Sequence, residues 1–321
     1  MINLLHAHKI PVGISSCLLG DKVRYDAGHC QSNYCMGPLS QYFEYVKFCP
    51  EMAAGFGAPR PTIRLVGDFD NPRLAYTKDP QTDLSEELKQ GYTAHLDKLE
   101  HLDGYILTRG SPSCGMSSAK VYRENGHSWG KTRAGFFAHD LMQRYPNLPV
   151  EEQGRLNDAG LRENFVLRVF AHHHFRHQVL DAPSMAKLQA FHRDYKYVLM
   201  AHSQYAYKTL GKLLGTRSEL SLDELAQVYF KGFMQGIAKP ANRKGHTNAM
   251  MHLMGYMKRL LSSDIKQELL EVIHQYRREE VNLATPLTLL KHYLKHYGNE
   301  YVNEQAYLQP YPQALGLANE R

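Results

Sequence analysis

The pattern of apolar residues changes near the middle of this 321-residue chain, and that change limits the possible folds more than any other feature. The first half alternates short β-rich runs, such as "IPVGISS", "YVKFC", "TIRLVGD" and "GYILTRG", with helical segments such as "DLSEELKQGYTAHLDKLEHL". This alternation is typical of an α/β domain whose mostly parallel sheet is flanked by helices. We therefore predict an α/β domain over residues 1–150, followed by an all-α domain over residues 151–321.

The second half has helical periodicity throughout, after Pro146, Pro149 and Gly154 interrupt the pattern. We predict four long helices in it, over residues 161–180, 184–215, 221–239 and 249–280. Ser221 is expected to cap the third of them.

The cysteines all lie in the first half, and three of them share a position relative to the predicted strands. The chain has Cys17, Cys30, Cys35, Cys49 and Cys114. Cys17, Cys49 and Cys114 each come just past the carboxyl end of a predicted strand, where the loops of an α/β sheet converge on ligands. An odd number of cysteines in a large chain favours metal binding or catalysis over disulfides. The spacing alone leaves a metal site and buried structural cysteines about equally open.

The chemistry of these three cysteines favours an iron-sulfur cluster over zinc. Structural zinc usually takes four ligands from paired C-x-x-C turns, and the chain has no C-x-x-C. Cluster ligands are spaced more variably, and three of them would leave one iron of a 4Fe-4S cluster open to substrate. Cys30 and Cys35, in "GHCQSNYC", could add ligands but do not follow a strand.

The excess of basic residues belongs to the second half. Residues 1–150 carry 16 Lys and Arg against 15 Asp and Glu, whereas residues 151–321 carry 22 against 17. This asymmetry predicts an anionic partner for the helical domain. The first residues lack the pattern of a signal peptide, and no run approaches the length of a membrane span. We therefore expect a cytoplasmic protein that does not bind membranes.

RNA is the anionic partner that the helical domain suits best. Arg168, His172 and Arg176 fall at i, i+4 and i+8, and further basic residues flank the segment "GHTN". Each stripe alone is more typical of a solvated helix face, but together with interleaved tyrosines they favour RNA. The candidate RNA contacts are Arg168, Arg176, Arg243, Lys244, His246, Lys258 and Arg259.

Three motifs in the first half, "SSCLLGDKVRYD", "FCPEMAAGFGAPRP" and "SPSCG", resemble the thiouracil desulfidase family in their order. The segments "RKGHTNAMMHLMGYMKRLLS", "PLTLLKHYL" and "AYLQPYP" resemble a helical family found fused to such desulfidases. The two-domain arrangement is similar to that of the tRNA 4-thiouridine desulfidases. Ala53 and Ala54 depart from the glycine pair usual after "CPE".

The resemblance implies a site. It implies a 4Fe-4S cluster held by Cys17, Cys49 and Cys114, an acid/base glutamate at Glu51 and a catalytic serine at Ser111. Without it, Glu51 is more typical of a solvated loop, and Ser111 of a helix cap.

The predicted function is therefore a non-redox hydrolysis of the C–S bond of 4-thiouridine in thiolated tRNA, which yields uridine and sulfide. Two alternatives remain open. One is a small-molecule thiouracil desulfidase whose helical domain mediates oligomerisation, and the other is a zinc-stabilised RNA-binding protein without catalysis.

Overall fold

A computed structural model of the chain describes residues 9–216 and 219–320. They form two compact units, which divide between Asn157 and Asp158. The first unit is α/β and the second is helical, which confirms the predicted fold class. The division falls later than residue 150 because Val150–Glu152 is a strand of the first unit's sheet. Among the helices in the described part of the chain, none is long and apolar enough to cross a bilayer.

The described residues of the N-terminal unit form two four-stranded sheets. Its strands are β1 (Ile10–Ser15), β2 (Phe43–Phe48), β3 (Ile63–Gly67), β4 (Pro72–Tyr76), β5 (Gly104–Leu107), β6 (Ala119–Tyr122), β7 (Ser128–Arg133) and β8 (Val150–Glu152). The first sheet is parallel throughout, in the order β2-β1-β5-β8. The second has the order β4-β3-β6-β7 and mixes parallel and antiparallel pairs. The parallel sheet fulfils the prediction, and its strands end at a common edge.

Apolar side chains on the central strands explain why this sheet is buried. Val12, Ile14 and Ile106 are 0% exposed, as expected for strands covered on both faces. The helices of the unit are α1 (Asn33–Met36), α2 (Pro50–Ala53), α3 (Ser85–Leu96) and α4 (Phe136–Arg144). Tyr92 of α3 and Tyr105 of β5 both make edge contacts with the Phe137 ring of α4.

The helical unit contains eight α-helices among its described residues. They are α5 (Ala159–Phe175), α6 (Met185–His202), α7 (Gln204–Gly215), α8 (Leu222–Gly236), α9 (Arg243–Met254), α10 (Ser263–Arg277), α11 (Ala284–Tyr297) and α12 (Glu300–Asn303). Ser221 forms the expected cap of α8, with a full capping box to Glu224.

Two of the predicted helices are each divided in the structure. The segment 184–215 breaks at Ser203, whose extended backbone ends α6 and whose hydroxyl accepts a hydrogen bond from the Ala206 N–H to begin α7. The segment 249–280 breaks between Met254 and Ser262, and Ser262 caps α10. Serine favours such breaks because its side chain satisfies the backbone N–H groups that a new helix leaves unpaired.

Candidate active site

The carboxyl ends of β2, β1 and β5 place the three predicted ligands on one cavity. Cys17 lies in the 3-10 turn Ser16–Leu19 directly after β1, and Cys49 directly after β2 is the N-cap of α2. Cys114 lies in the loop after β5. All three line a cavity of about 230 Å³ within the N-terminal unit. The structure thus brings together residues that are far apart in the sequence, as the parallel sheet predicts.

Burial makes these thiols poor acids as long as they bind no metal ion. It raises the pKa of Cys49 and Cys114, and the neighbouring Cys49 raises that of Cys114 further. The pKa of Cys17 is also raised, first by its hydrogen bond with Cys30 and then by burial. A bound metal would reverse this balance, since thiolates are the ligand form of cysteine.

Glu51, at the start of α2, lines the same cavity and is held by three side chains. Ser113 Oγ donates to its Oε1 at 2.9 Å, and Ser111 Oγ lies 3.3 Å from the same oxygen. The Arg60 guanidinium forms an ion pair with Oε2. Glu51 is therefore a carboxylate held in place within a cleft. The alternative prediction, that it is a freely solvated loop residue, is wrong.

Arg60 and Ser113 were not among the predicted site residues. The Arg60 side chain is 4% exposed and also donates to the carbonyl oxygens of Val23 and Gly57 at 2.9 and 2.6 Å. Ser113 is 0% exposed. An arginine near the "CPE" motif and a second serine in "SPSC" were the available signals. Neither signal shows that the two side chains would meet the same carboxylate.

Ser111 lies beside Glu51, where the resemblance places a catalytic serine. It also has a structural role of the kind expected for a capping serine. Its Oγ accepts hydrogen bonds from the N–H groups of Ser113 and Cys114 at 3.1 and 3.0 Å. It therefore shapes the loop that carries Cys114, while it also lies beside Glu51.

The two remaining cysteines differ in their surroundings. Cys30 Sγ lies 3.3 Å from Cys17 Sγ, although Cys30 does not follow a strand. The hydrogen bond between Cys30 and Cys17, and the nearby Arg24, lower the pKa of Cys30. Cys35 is buried in α1, and the Tyr45 hydroxyl donates to its carbonyl oxygen at 2.9 Å. Neither of them lines the cavity among the described residues, but Cys30 contacts the ligand candidate Cys17.

The loop that carries Cys49 and Glu51 is pressed against α3 at Gly91. A Cβ added to Gly91 would lie 2.5 Å from the Cα and N atoms of Ala54, closer than real contacts allow. We expect Gly91→Ala to destabilise the protein by about 1–3 kcal/mol, because the clash is with backbone atoms and outweighs the gain of about 1 kcal/mol in helix propensity. Urea unfolding measures this change.

Gln90→Ala is the matched control, since Gln90 is the exposed neighbour of Gly91 in the same helix. It should leave the free energy of unfolding within about 0.5 kcal/mol of the parent value. Equal or greater stability of Gly91→Ala would show that α3 does not press on the loop.

The residues predicted to contact RNA do not form one surface in the helical unit. Lys244, Lys258 and Arg259 are exposed. The Arg243 guanidinium instead donates to the Tyr276 carbonyl oxygen at 2.6 Å and lies 4.6 Å from the centre of the Tyr276 ring. Arg243 therefore joins α9 to α10.

The other three candidate RNA contacts are less exposed than predicted. His246 is 4% exposed, and its Nδ1 lies 3.0 Å from the Tyr307 hydroxyl, so it is a core residue and not the solvent-facing one that the prediction requires. Arg168 and Arg176 are half-buried, and His172 between them is 5% exposed and packs on the Phe230 ring. Arg168, His172 and Arg176 therefore form no continuous basic stripe on a solvated helix face.

Comparison with known families agrees with the motifs. Residues 12–153 match the family described as 2-thiouracil desulfurase, and residues 196–312 match DUF1722, described as a family of unknown function. The structure of the 4Fe-4S-dependent thiouracil desulfidase TudS is 28% identical, with a TM-score of 0.37, and the match covers 46% of this chain and 94% of that chain.

Two bacterial relatives are similar over about half of the chain. The uncharacterized protein YbbK of Bacillus subtilis (strain 168) is 29% identical over 151 residues, which are 45% of this chain and 97% of YbbK. The uncharacterized protein YbgA of Escherichia coli (strain K12) is 31% identical over 156 residues, which are 48% of this chain and 92% of YbgA. The chain therefore belongs to the same family as YbgA, and it carries a 2-thiouracil desulfurase domain at residues 12–153 and a DUF1722 domain at residues 196–312.

Proposed function

We propose that this protein is a 4Fe-4S-dependent desulfidase that removes sulfur from 4-thiouridine in tRNA in the cytoplasm. One observation carries the proposal. Three thiols and a fixed carboxylate share one cavity, in a domain that matches the 2-thiouracil desulfurase family. Hydrolysis of a thiocarbonyl needs a soft metal at the sulfur and a base at the attacking water, and the cavity offers residues for both.

The residues present suit an iron-sulfur cluster. Cys17, Cys49 and Cys114 would hold it, because all three thiols line the same cavity and none of them is in a disulfide. Three thiolates alone are fewer than structural zinc usually takes. When bound, the cluster supplies a soft Lewis acid for the thiocarbonyl sulfur.

The chain's own residues supply the proton transfers. Glu51 takes one proton from the attacking water and passes it to the departing sulfur as the C–S bond breaks, and the second water proton follows, so that both leave with the sulfur. Arg60 pairs with Glu51 Oε2, so that Oε1 carries out the transfer, and Ser113 fixes the direction of Oε1. The water oxygen becomes the new carbonyl oxygen and sulfur leaves as sulfide. Carbon keeps its oxidation level, and no electron donor is needed.

The helical unit supports tRNA as the substrate because the basic excess of the chain lies in it. An anionic, extended substrate explains that excess by counterion release. A free thiolated base carries no phosphate and would make no use of these charges.

Anaerobic incubation with tRNA that contains 4-thiouridine, and separately with free 4-thiouracil, tests the proposal. Nucleoside analysis and sulfide release are the readouts, and iron and zinc are measured on the same sample. We expect uridine to replace 4-thiouridine in the tRNA. Conversion of the free base alone would favour the small-molecule alternative. Stoichiometric zinc without iron, and no conversion of either substrate, would favour the non-catalytic alternative.

A further inference from the structure

Among the described residues, those that line a wide groove in the helical unit are all basic or neutral. It has a volume of about 550 Å³ and lies where the end of α6 meets α7 and the start of α9. Lys208, Lys244, His252 and Arg277 line it, and no acidic residue does. All four are exposed, and none of them forms an ion pair with a carboxylate in the described residues. We call this the cationic groove.

The floor of the cationic groove is closely packed. Gly245 in the first turn of α9 lies against the last turn of α6, where an added Cβ would be 1.9 Å from the Ala201 carbonyl oxygen. Asn242 caps α9, and its side chain accepts from the Gly245 N–H at 2.8 Å. The positive end of the α9 dipole is therefore held in the groove, where it favours an anion.

A buried hydroxyl in the same place also points to a ligand. Thr247 lines the cationic groove and is 1% exposed. Its Oγ1 has no hydrogen-bond partner among the described residues. A buried hydroxyl that lacks a partner costs about 1–3 kcal/mol, and a ligand oxygen in the groove would remove that cost.

We propose that the cationic groove binds a phosphodiester of RNA. The proposal rests on the proposed function for the identity of the RNA as tRNA. An exposed aromatic side chain favours RNA over a free phosphate ion. Tyr205 is 81% exposed and precedes Lys208 by three residues on α7, which places both on the same side of that helix. Phosphate contacts from Lys208 and Lys244 beside a base stacked on Tyr205 match the way proteins hold unpaired RNA.

The test measures binding of 4-thiouridine-containing tRNA to the full-length, iron-loaded protein over a range of salt concentrations. The double variant Lys208→Ala with Lys244→Ala should lower the slope of log K against log salt by about 1 for each lost phosphate contact. Tyr205→Ala should weaken binding about 5- to 150-fold, the equivalent of losing one stacked base, with the slope unchanged. Unfolding temperature and iron content show whether each variant is folded.

Lys212→Ala with Lys231→Ala is the matched control. Both lysines are exposed in the helical unit, neither lines the cationic groove, and the variant removes the same charge. The control should keep the wild-type slope. If the two double variants lower the slope equally, the loss of net charge alone explains the effect, and the assignment of the groove is wrong.

Other outcomes separate the groove from the function. Wild-type affinity and slope in the groove variant, with tRNA bound by the wild type, would overturn the groove and leave the proposed function intact. Failure of the wild type to bind tRNA would overturn the proposed function. Inorganic phosphate is added against chloride of equal ionic strength, and full displacement of tRNA at millimolar phosphate would identify a free-phosphate site instead.

Discussion

Replacing Cys17, Cys49 or Cys114 by alanine is expected to leave the purified protein with almost no bound iron. Each variant removes one of three thiols on the same cavity, and two thiolates are too few to hold a four-iron cluster. Iron and acid-labile sulfide per chain, measured after anaerobic purification, give the result. Circular dichroism on the same samples shows whether the iron is lost from a folded chain.

The other two cysteines serve as controls of different stringency. Cys35→Ala removes a buried thiol that does not line the cavity, so it should keep its iron. Cys30→Ala is the harder test, because Cys30 Sγ lies 3.3 Å from Cys17 Sγ. We expect this variant to keep its iron too. Loss of iron from it would show that the ligand set is wrong.

Glu51→Gln should keep its iron and lose turnover by about 10²- to 10⁴-fold. Glutamine has nearly the same shape, but its one carbonyl oxygen can accept from Ser113 or from Arg60 and not from both, and its amide cannot take a proton from water. Rates with saturating thiolated substrate, divided by iron content, isolate this loss. Ser113→Ala should reduce the rate less, because it frees Glu51 to rotate and leaves the base present.

Glu44→Gln provides the matched change of charge. Glu44 is an exposed carboxylate on β2 and does not line the cavity, so its variant should turn over at the parent rate. Near-normal turnover of Glu51→Gln would remove Glu51 from the mechanism. Loss of iron from it would instead indicate that the Glu51–Arg60 pair supports the loop of Cys49.

The positions of Cys17 and Cys49 could be predicted because they follow from strand order. A residue placed just after a buried parallel strand lies at the same edge as its counterparts, whereas Cys114 also depends on the loop after β5 that Ser111 shapes. The partners of Glu51 could not be predicted in this way. Arg60 and Ser113 reach Glu51 from two separate loops, and no periodicity relates loops to each other.

In the helical unit the helices could be predicted, but which of their sides face solvent could not. Its helices are evident from period 3.6, but basic residues at i and i+4 indicate only a shared side of one helix. Whether that side meets solvent depends on the neighbouring helices, and His172 and His246 lie inward. The break at Ser203, which the pattern did not reveal, allows α7 to turn and Lys208 to line the cationic groove.

The cavity at the carboxyl ends of β2, β1 and β5 has a consequence for the unfolded chain. A group bound there by Cys17, Cys49 and Cys114 would cross-link two long chain loops, from Cys17 to Cys49 and from Cys49 to Cys114. Closing each loop lowers the conformational entropy of the denatured ensemble. In the chain-entropy relation, this stabilises the native state by roughly 3–5 kcal/mol for each loop. The cofactor would then be part of the folding equilibrium as well as of the chemistry, because its affinity adds to the stability of the native state. A chain that loses the cofactor would therefore unfold more readily and be cleaved faster by proteases.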